Sequence, residues 1–133
     1  VWGVVEQDEG TIVGNIARNP KDRMQMAVMS DPTVGKHAVT HYRVLERLGY
    51  VTLVECILET GRTHQIRAHL ASVGHPVIGD RKYGDPSVNH KFYGTFHVDH
   101  QLLHAYRLEF PDGRVFTAPM PEIFKEIMEK ERG

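Results

Sequence analysis

Val51-Thr52-Leu53-Val54-Glu55-Cys56-Ile57-Leu58-Glu59, followed at once by Thr60-Gly61-Arg62-Thr63-His64-Gln65-Ile66-Arg67-Ala68-His69, carries the change of period that decides the fold. The first run is dense in β-branched and apolar residues and reads as a strand. From Thr63 to Val73 the period lengthens: Ile66, Leu70 and Val73 recur at helical spacing with Ala68 and Ala71 beside them, and Gly74 then Pro76 follow as stop signals. This spacing predicts a short amphipathic helix, with Thr60 or Thr63 as its cap. Upstream, Ala38 to Leu48 mixes Val39, Tyr42, Val44 and Leu45 with basic residues, and Leu48-Gly49-Tyr50 separates it from the Val51 run; the two are expected to pair as antiparallel strands. Farther out, Thr11–Ile16 and Met24–Val28 predict short strands joined through Asn19-Pro20-Lys21-Asp22, and Ser30–Gly35 has the composition of an exposed turn.

Downstream, Val77 to Asp80 is a brief apolar stretch, and Lys82 to His100 reads as a long surface loop. Leu102–Phe110 and Arg114–Ala118 are expected to be strands flanking a Pro111-Asp112-Gly113 turn. A last helix begins at Pro121 and turns Ile123, Phe124, Ile127 and Met128 to the core. Strands with a few helices and no regular βαβ alternation predict an α+β fold, a mainly antiparallel mixed sheet, formed as one unit over residues 1–133.

Of the 133 residues 41% are hydrophobic and 25% charged, enough to bury a core, and the formal net charge of −1 gives the whole chain no electrostatic footprint for nucleic acid. Any such partner has to be read from local clusters. No apolar run approaches the roughly 18 residues of a membrane span, so no membrane partner is expected. The single cysteine, Cys56, excludes an internal disulfide framework and a cysteine-clustered zinc site, which makes a cytoplasmic location the expectation.

The densest polar cluster is Thr60–His69. Arg62 and Thr63 fall at the predicted helix start, where free backbone N–H groups favour an anion, yet an arginine there opposes the helix dipole and should be held by something else. Arg67 follows Ile66 by one residue, about 100° round the helix, so it projects from the edge of the apolar face and can reach a buried carboxylate as a two-pronged donor. The plainer reading makes Arg62, His64 and Gln65 ordinary exposed helix residues. His97, His100 and His104 are spaced as ligands on one helical face, but the expected strand at Leu102 breaks that register and no HExxH base accompanies them, so no metal site is expected. No Gly-x-Ser-x-Gly elbow is present. Cys56 reads as inert core and Asp80 as a turn residue that caps or pairs locally.

Glu59-Thr60-Gly61-Arg62-Thr63-His64-Gln65-Ile66-Arg67, with Gly74-His75-Pro76-Val77-Ile78-Gly79-Asp80 and Tyr83-Gly84, closely resembles the signature of the RluA/RluD family of RNA pseudouridine synthases. Gly35–Leu45 is similar to the family's preceding strand, and Leu102-Leu103-His104-Ala105, Phe110-Pro111 and Ala118-Pro119 to its closing strands, so the resemblance runs through effectively the whole chain. It implies isomerisation of uridine to pseudouridine in structured RNA, ribosomal or transfer, without a cofactor, through a nucleophilic aspartate that helps detach and reattach the base. By position, Arg67 matches the family's active-site arginine, which pairs with that aspartate and keeps it charged and aimed. Arg62, His64, Gln65, Arg81 and Lys82 are the implied RNA contacts, and Ile66 and Leu103 the implied neighbours of the uracil.

The family's His-Arg-Leu-Asp segment and the later tyrosine that stacks on the base have no counterpart in these residues, and none of the aspartates has matching surroundings. The chain is therefore expected to be the C-terminal part of a catalytic domain, inactive alone, with sheet edges that favour self-association. The competing reading is a non-catalytic RNA-binding module.

Overall fold

A computed structural model describes residues 1–22 and 24–132. The long antiparallel pair β4 (Val39–Leu48) and β5 (Val51–Leu58) is its frame, turned by Gly49 at φ +67, a conformation that suits glycine at a tight hairpin. Strand β1 (Glu9–Val13) adds to the other side of β4, giving the order β1-β4-β5, with a register irregularity between Val44 and Glu46. The chain then bends at Gly14 into β2 (Asn15–Arg18), which pairs with β3 (Met26–Met29) as a separate two-stranded ribbon. A second small ribbon, β6 (Arg107–Glu109) with β7 (Val115–Thr117), follows later in the chain. Three helices complete an α+β fold with antiparallel pairing throughout: α1 (Gln65–Ser72), α2 (Pro86–Phe96) and α3 (Glu122–Arg132).

The core has two parts. At the β4–β5 turn, Leu48 and Val51 meet Ile78, Val88, Phe92, Val98 and Ile127, so α2 and α3 close that end. Toward the other end Ile12, Leu70 and Val77 are buried with Tyr42, Cys56 and Ile66 against them, which seats α1 on the sheet. Burial pushes the Cys56 thiol up to about 11, so it behaves as core and not as a nucleophile at neutral pH.

Three expectations need correction. The stretch Lys82–His100 is not a loop, because α2 occupies its middle: Asp85 accepts hydrogen bonds from the N–H groups of Ser87 and Val88, and Pro86 opens the helix. Val88 and Phe92, one turn apart, are its buried face. The strand expected over Leu102–Phe110 is confined to Arg107–Glu109, because Leu102 donates its N–H to Ile78 O and runs through the core instead of along a sheet. Helix α1 begins at Gln65, and neither Thr60 nor Thr63 caps it; His64 holds the N-cap position in the left-handed region, φ 54, without a side-chain cap.

Candidate active site

The reason Thr60 does not cap α1 lies in Gln65. Its side chain is 3% exposed and every amide group is engaged: Oε1 accepts from the Thr60 hydroxyl (2.7 Å) and the Arg62 N–H (3.0 Å), while Nε2 donates to Val39 O and Thr40 Oγ1 (both 2.9 Å). The Thr60 hydroxyl accepts in turn from Val39 N–H. The network continues inward. Thr40 Oγ1 lies 2.8 Å from Nδ1 of His69, and His69 Nε2 lies 3.0 Å from the carbonyl of Gly14, which can only accept, so the ring donates from Nε2 and shares a second bond with the Thr40 hydroxyl at Nδ1. Thr40 and His69 are both fully buried. This chain of bonds locks the β5–α1 corner to β4 and to the β1–β2 bend. Gln65, expected among the RNA contacts, is therefore withdrawn from the surface and acts as a structural clasp.

Two residues along, Arg67 meets the carboxylate its position called for, and that carboxylate is Asp80. Nε donates to Oδ2 at 2.7 Å and Nη2 to Oδ1 at 2.9 Å, a two-pronged pair in which the arginine side chain is 12% exposed and the aspartate 0%. Asp80 Oδ1 also accepts the N–H groups of Lys82 and Tyr83, both at 3.0 Å, so Asp80 organises its own turn as well. Burial works to raise the Asp80 carboxyl, but the Arg67 bond and the two N–H groups outweigh it and hold it below the ordinary aspartate range. The same bond keeps Arg67 more firmly protonated than a free arginine. Gly79, at φ +84, permits this turn: a Cβ there would lie 2.1 Å from His100 O.

Tyr83 completes the support. Its ring lies beneath the Arg67 guanidinium, 5.0 Å from Cζ to the ring centre. Its hydroxyl accepts from Met26 N–H at 2.7 Å and lies 2.9 Å from His64 Nδ1, tying the start of β3 to the N-cap of α1. Since the hydroxyl oxygen already accepts from Met26, its proton is placed to go to an unprotonated Nδ1. His64 is correspondingly held below the ordinary histidine value: burial lowers it first, then the charges of Arg67 and Lys82, with a further contribution from Arg18. The pair uses Nε and Nη2 of Arg67 and leaves Nη1 outside it.

The other expected residues fall at different places around this centre. Arg62 is exposed, with Nε donating to His37 O at 2.8 Å. Arg81 and Lys82 are exposed on the turn beyond Asp80, and Lys82 Nζ reaches Met24 O. Ile66 and Leu103 both line one small cavity of about 80 Å³, otherwise lined largely by β5 and α3, and neither Arg67 nor Asp80 is among its lining residues. Sequence reasoning singled out Arg67 but not Tyr83 as a support for it. The signal available was Tyr83 itself, three residues beyond Asp80 and followed by Gly84, at which a Cβ would lie 2.3 Å from Asp80 O. His69 belongs to the buried network and His64 to the Tyr83 contact, and among the described residues no group of three or more potential ligands is placed to hold a metal.

The geometry can be set beside known proteins. The sequence profile of the family described as RNA pseudouridylate synthase matches residues 2–72. YlyB of Bacillus subtilis, an uncharacterized RNA pseudouridine synthase, is 47% identical over 137 aligned positions, covering 99% of this chain and 42% of that protein. Ribosomal large subunit pseudouridine synthase D of Xylella fastidiosa is 56% identical over 131 positions, covering 90% of this chain and 38% of that protein. The chain thus spans well under half the length of these curated relatives. Among solved structures, human RNA Pseudouridylate Synthase Domain Containing 1 superposes with a TM-score of 0.75 at 25% identity, over 99% of this chain and 62% of that one.

Proposed function

The chain belongs to the RNA pseudouridylate synthase family, and from that membership we propose that it supplies the arginine side of a site that converts uridine to pseudouridine in RNA. The observation that carries the reading is the clasped guanidinium of Arg67, held by Asp80 over Tyr83 with Nη1 left over. A nucleophilic aspartate from a His-Arg-Leu-Asp segment, which these 133 residues do not contain, would be the partner of that remaining edge. The Arg67 charge would keep such a carboxylate ionised and oriented toward the ribose carbon. The reaction breaks the bond from that carbon to N1 of uracil and forms one to C5, with a proton moving from C5 to N1. Product and substrate are isomers, so the chemistry has no net redox or group transfer and calls for no cofactor.

Ile66 and Leu103, at one cavity, are the proposed apolar neighbours of the base, and Arg62, His64, Arg81 and Lys82 the proposed contacts to RNA of the ribosomal or transfer class. The target base must leave its stack to reach such a site. The test is pseudouridine formation on a mixed cellular RNA pool. We expect none from the 133-residue chain and activity from a version extended upstream through a His-Arg-Leu-Asp segment. Conversion by the short chain, its intact mass verified, would overturn the requirement for an outside aspartate. Inactivity of a well-folded extended protein, with RNA binding retained, would favour a non-catalytic binding module. Ile57 and Leu58, 59% and 45% exposed near the end of the edge strand β5, are the proposed seat of self-association in the short chain, which light scattering would report as a dimer or larger species.

A further inference from the structure

Beside the Arg67 cluster lies a second, larger concavity, a cleft of about 460 Å³ between the β2–β3 ribbon and the β5–α1 corner. Three cations line it, Arg18, Lys36 and Arg62, and no acidic residue does among the described residues. Lys36 and Arg62 differ in this from Arg43, Arg47, Arg67, Arg107, Arg114 and Arg132, each of which faces a carboxylate. The formal net charge is −1, so two cations, Lys36 and Arg62, that face no carboxylate among the described residues are a local arrangement and not a reflection of composition.

The backbone of Lys36 and both ends of Arg62 are held in place. Lys36 is pinned by a two-way backbone bridge with Ile16, both N–H to O distances 2.9 Å, while its side chain makes no hydrogen bond or ion pair among the described residues. Arg62 is anchored at both ends: its N–H on Gln65 Oε1 and its Nε on His37 O, which leaves the Nη1–Nη2 end free of the anchor. A fixed guanidinium offering that end suits two oxygens of one phosphate. Ile16, Ala17, Met26 and Thr63 complete the wall with two glycines. Gly35 could not carry a Cβ, which would lie 2.8 Å from Ile16 O, and Gly61 opens onto empty space. Among the described residues no aromatic side chain lines the cleft to stack on a base.

We propose that this cleft takes the phosphodiester backbone of the RNA strand beside the nucleotide handled at Arg67, with Lys36 and Arg62 each meeting a phosphate. The proposal rests on the RNA reading above and extends it to Lys36 and to the β2–β3 ribbon. Met26 joins the two places: it lines the cleft, and its N–H is bonded to the Tyr83 hydroxyl beneath Arg67. A strand lying in the cleft would therefore run toward the site.

The experiment is binding of the 133-residue chain to a labelled, uridine-rich single-stranded RNA of about 12 nucleotides across a salt series. Loss of two phosphate contacts should flatten the log–log salt slope by about 1.4 and weaken binding roughly tenfold near 50 mM salt. We expect this of Lys36→Gln with Arg62→Gln, and no change from Lys125→Gln with Lys130→Gln on α3. Lys36→Gln alone, which breaks no bond of the fold, should carry about half the slope change and so guards against a folding defect at Arg62. If the chain binds and the cleft variants keep both affinity and slope, the cleft is not the backbone site while the RNA reading stands. Absence of salt-dependent binding by the unaltered chain also overturns the cleft proposal, and pseudouridine formation by the extended protein then judges the RNA reading separately.

Discussion

Two polar clusters leave the same Thr60–Arg67 stretch and face opposite ways. Gln65 turns inward, where with Thr40, Thr60 and His69 it forms a network whose members are bonded to one another or to backbone. Arg62, three residues earlier, turns outward with Lys36 into a cleft that no acidic residue lines among the described residues. Arg67 stands between these extremes, its inner edge closed by Asp80 and one nitrogen left over. The difference teaches that most of this motif serves geometry: polar groups paired internally fix the corner, and the donors that point outward are where we propose that RNA is met.

The comparison breaks most forcefully at Asp80. Asp80→Ala leaves a nearly buried guanidinium without its counter-charge, and we expect a loss of about 3–5 kcal/mol in denaturant unfolding. A loss below about 1 kcal/mol would mean that the inner edge is not closed as described. Next comes Gln65→Ala, which strands Thr60, Thr40 and two backbone groups in a buried corner. About 2–3 kcal/mol is expected. By contrast Lys36→Gln on the outward cluster should change stability by less than about 0.5 kcal/mol, and a larger cost would show that Lys36 belongs to the fold.

The smallest effect sharpens the boundary between the clusters. Because the fold lowers the proton affinity of His64, the unfolded chain takes up its proton more readily, and stability falls as pH drops through the usual histidine value of about 6.5. Asp80, whose folded value is lowered, adds a further fall with the same sign in the range of an ordinary aspartate, about 3.9. His64→Asn, whose side chain tolerates the left-handed backbone at φ 54, should melt with a smaller decline than the unaltered chain between about pH 7 and 5. An identical decline would place the titration elsewhere.

How much of this was legible depends on whether the deciding signal was local. The β4–β5 pair and α1 were, because β-branched density and the Ile66–Leu70–Val73 spacing are properties of short windows. Helix α2 had its signals too, Asp85-Pro86 at the start and Val88 with Phe92 one turn apart, but the His, Gly and Asn around them masked the period. At the site, Arg67 was legible from its place at the edge of the apolar face. Its partner was not, since Asp80 is thirteen residues away and only the packing of α1 on the Val77–Asp80 segment brings them together. Gln65 was misplaced for a related reason: a glutamine at a helix start is ordinarily exposed, and nothing local shows that Thr40 and Val39 lie opposite.

The central claim is that Arg67, clasped by Asp80, positions the reacting carboxylate. The direct measurement is single-turnover pseudouridine formation by the upstream-extended protein carrying Arg67→Lys, with RNA affinity measured in parallel. Lysine keeps the charge but cannot hold Asp80 with two prongs while offering a further N–H in plane, so we predict a rate roughly 100-fold lower with RNA affinity nearly unchanged. A rate within about twofold of the unaltered enzyme would contradict it.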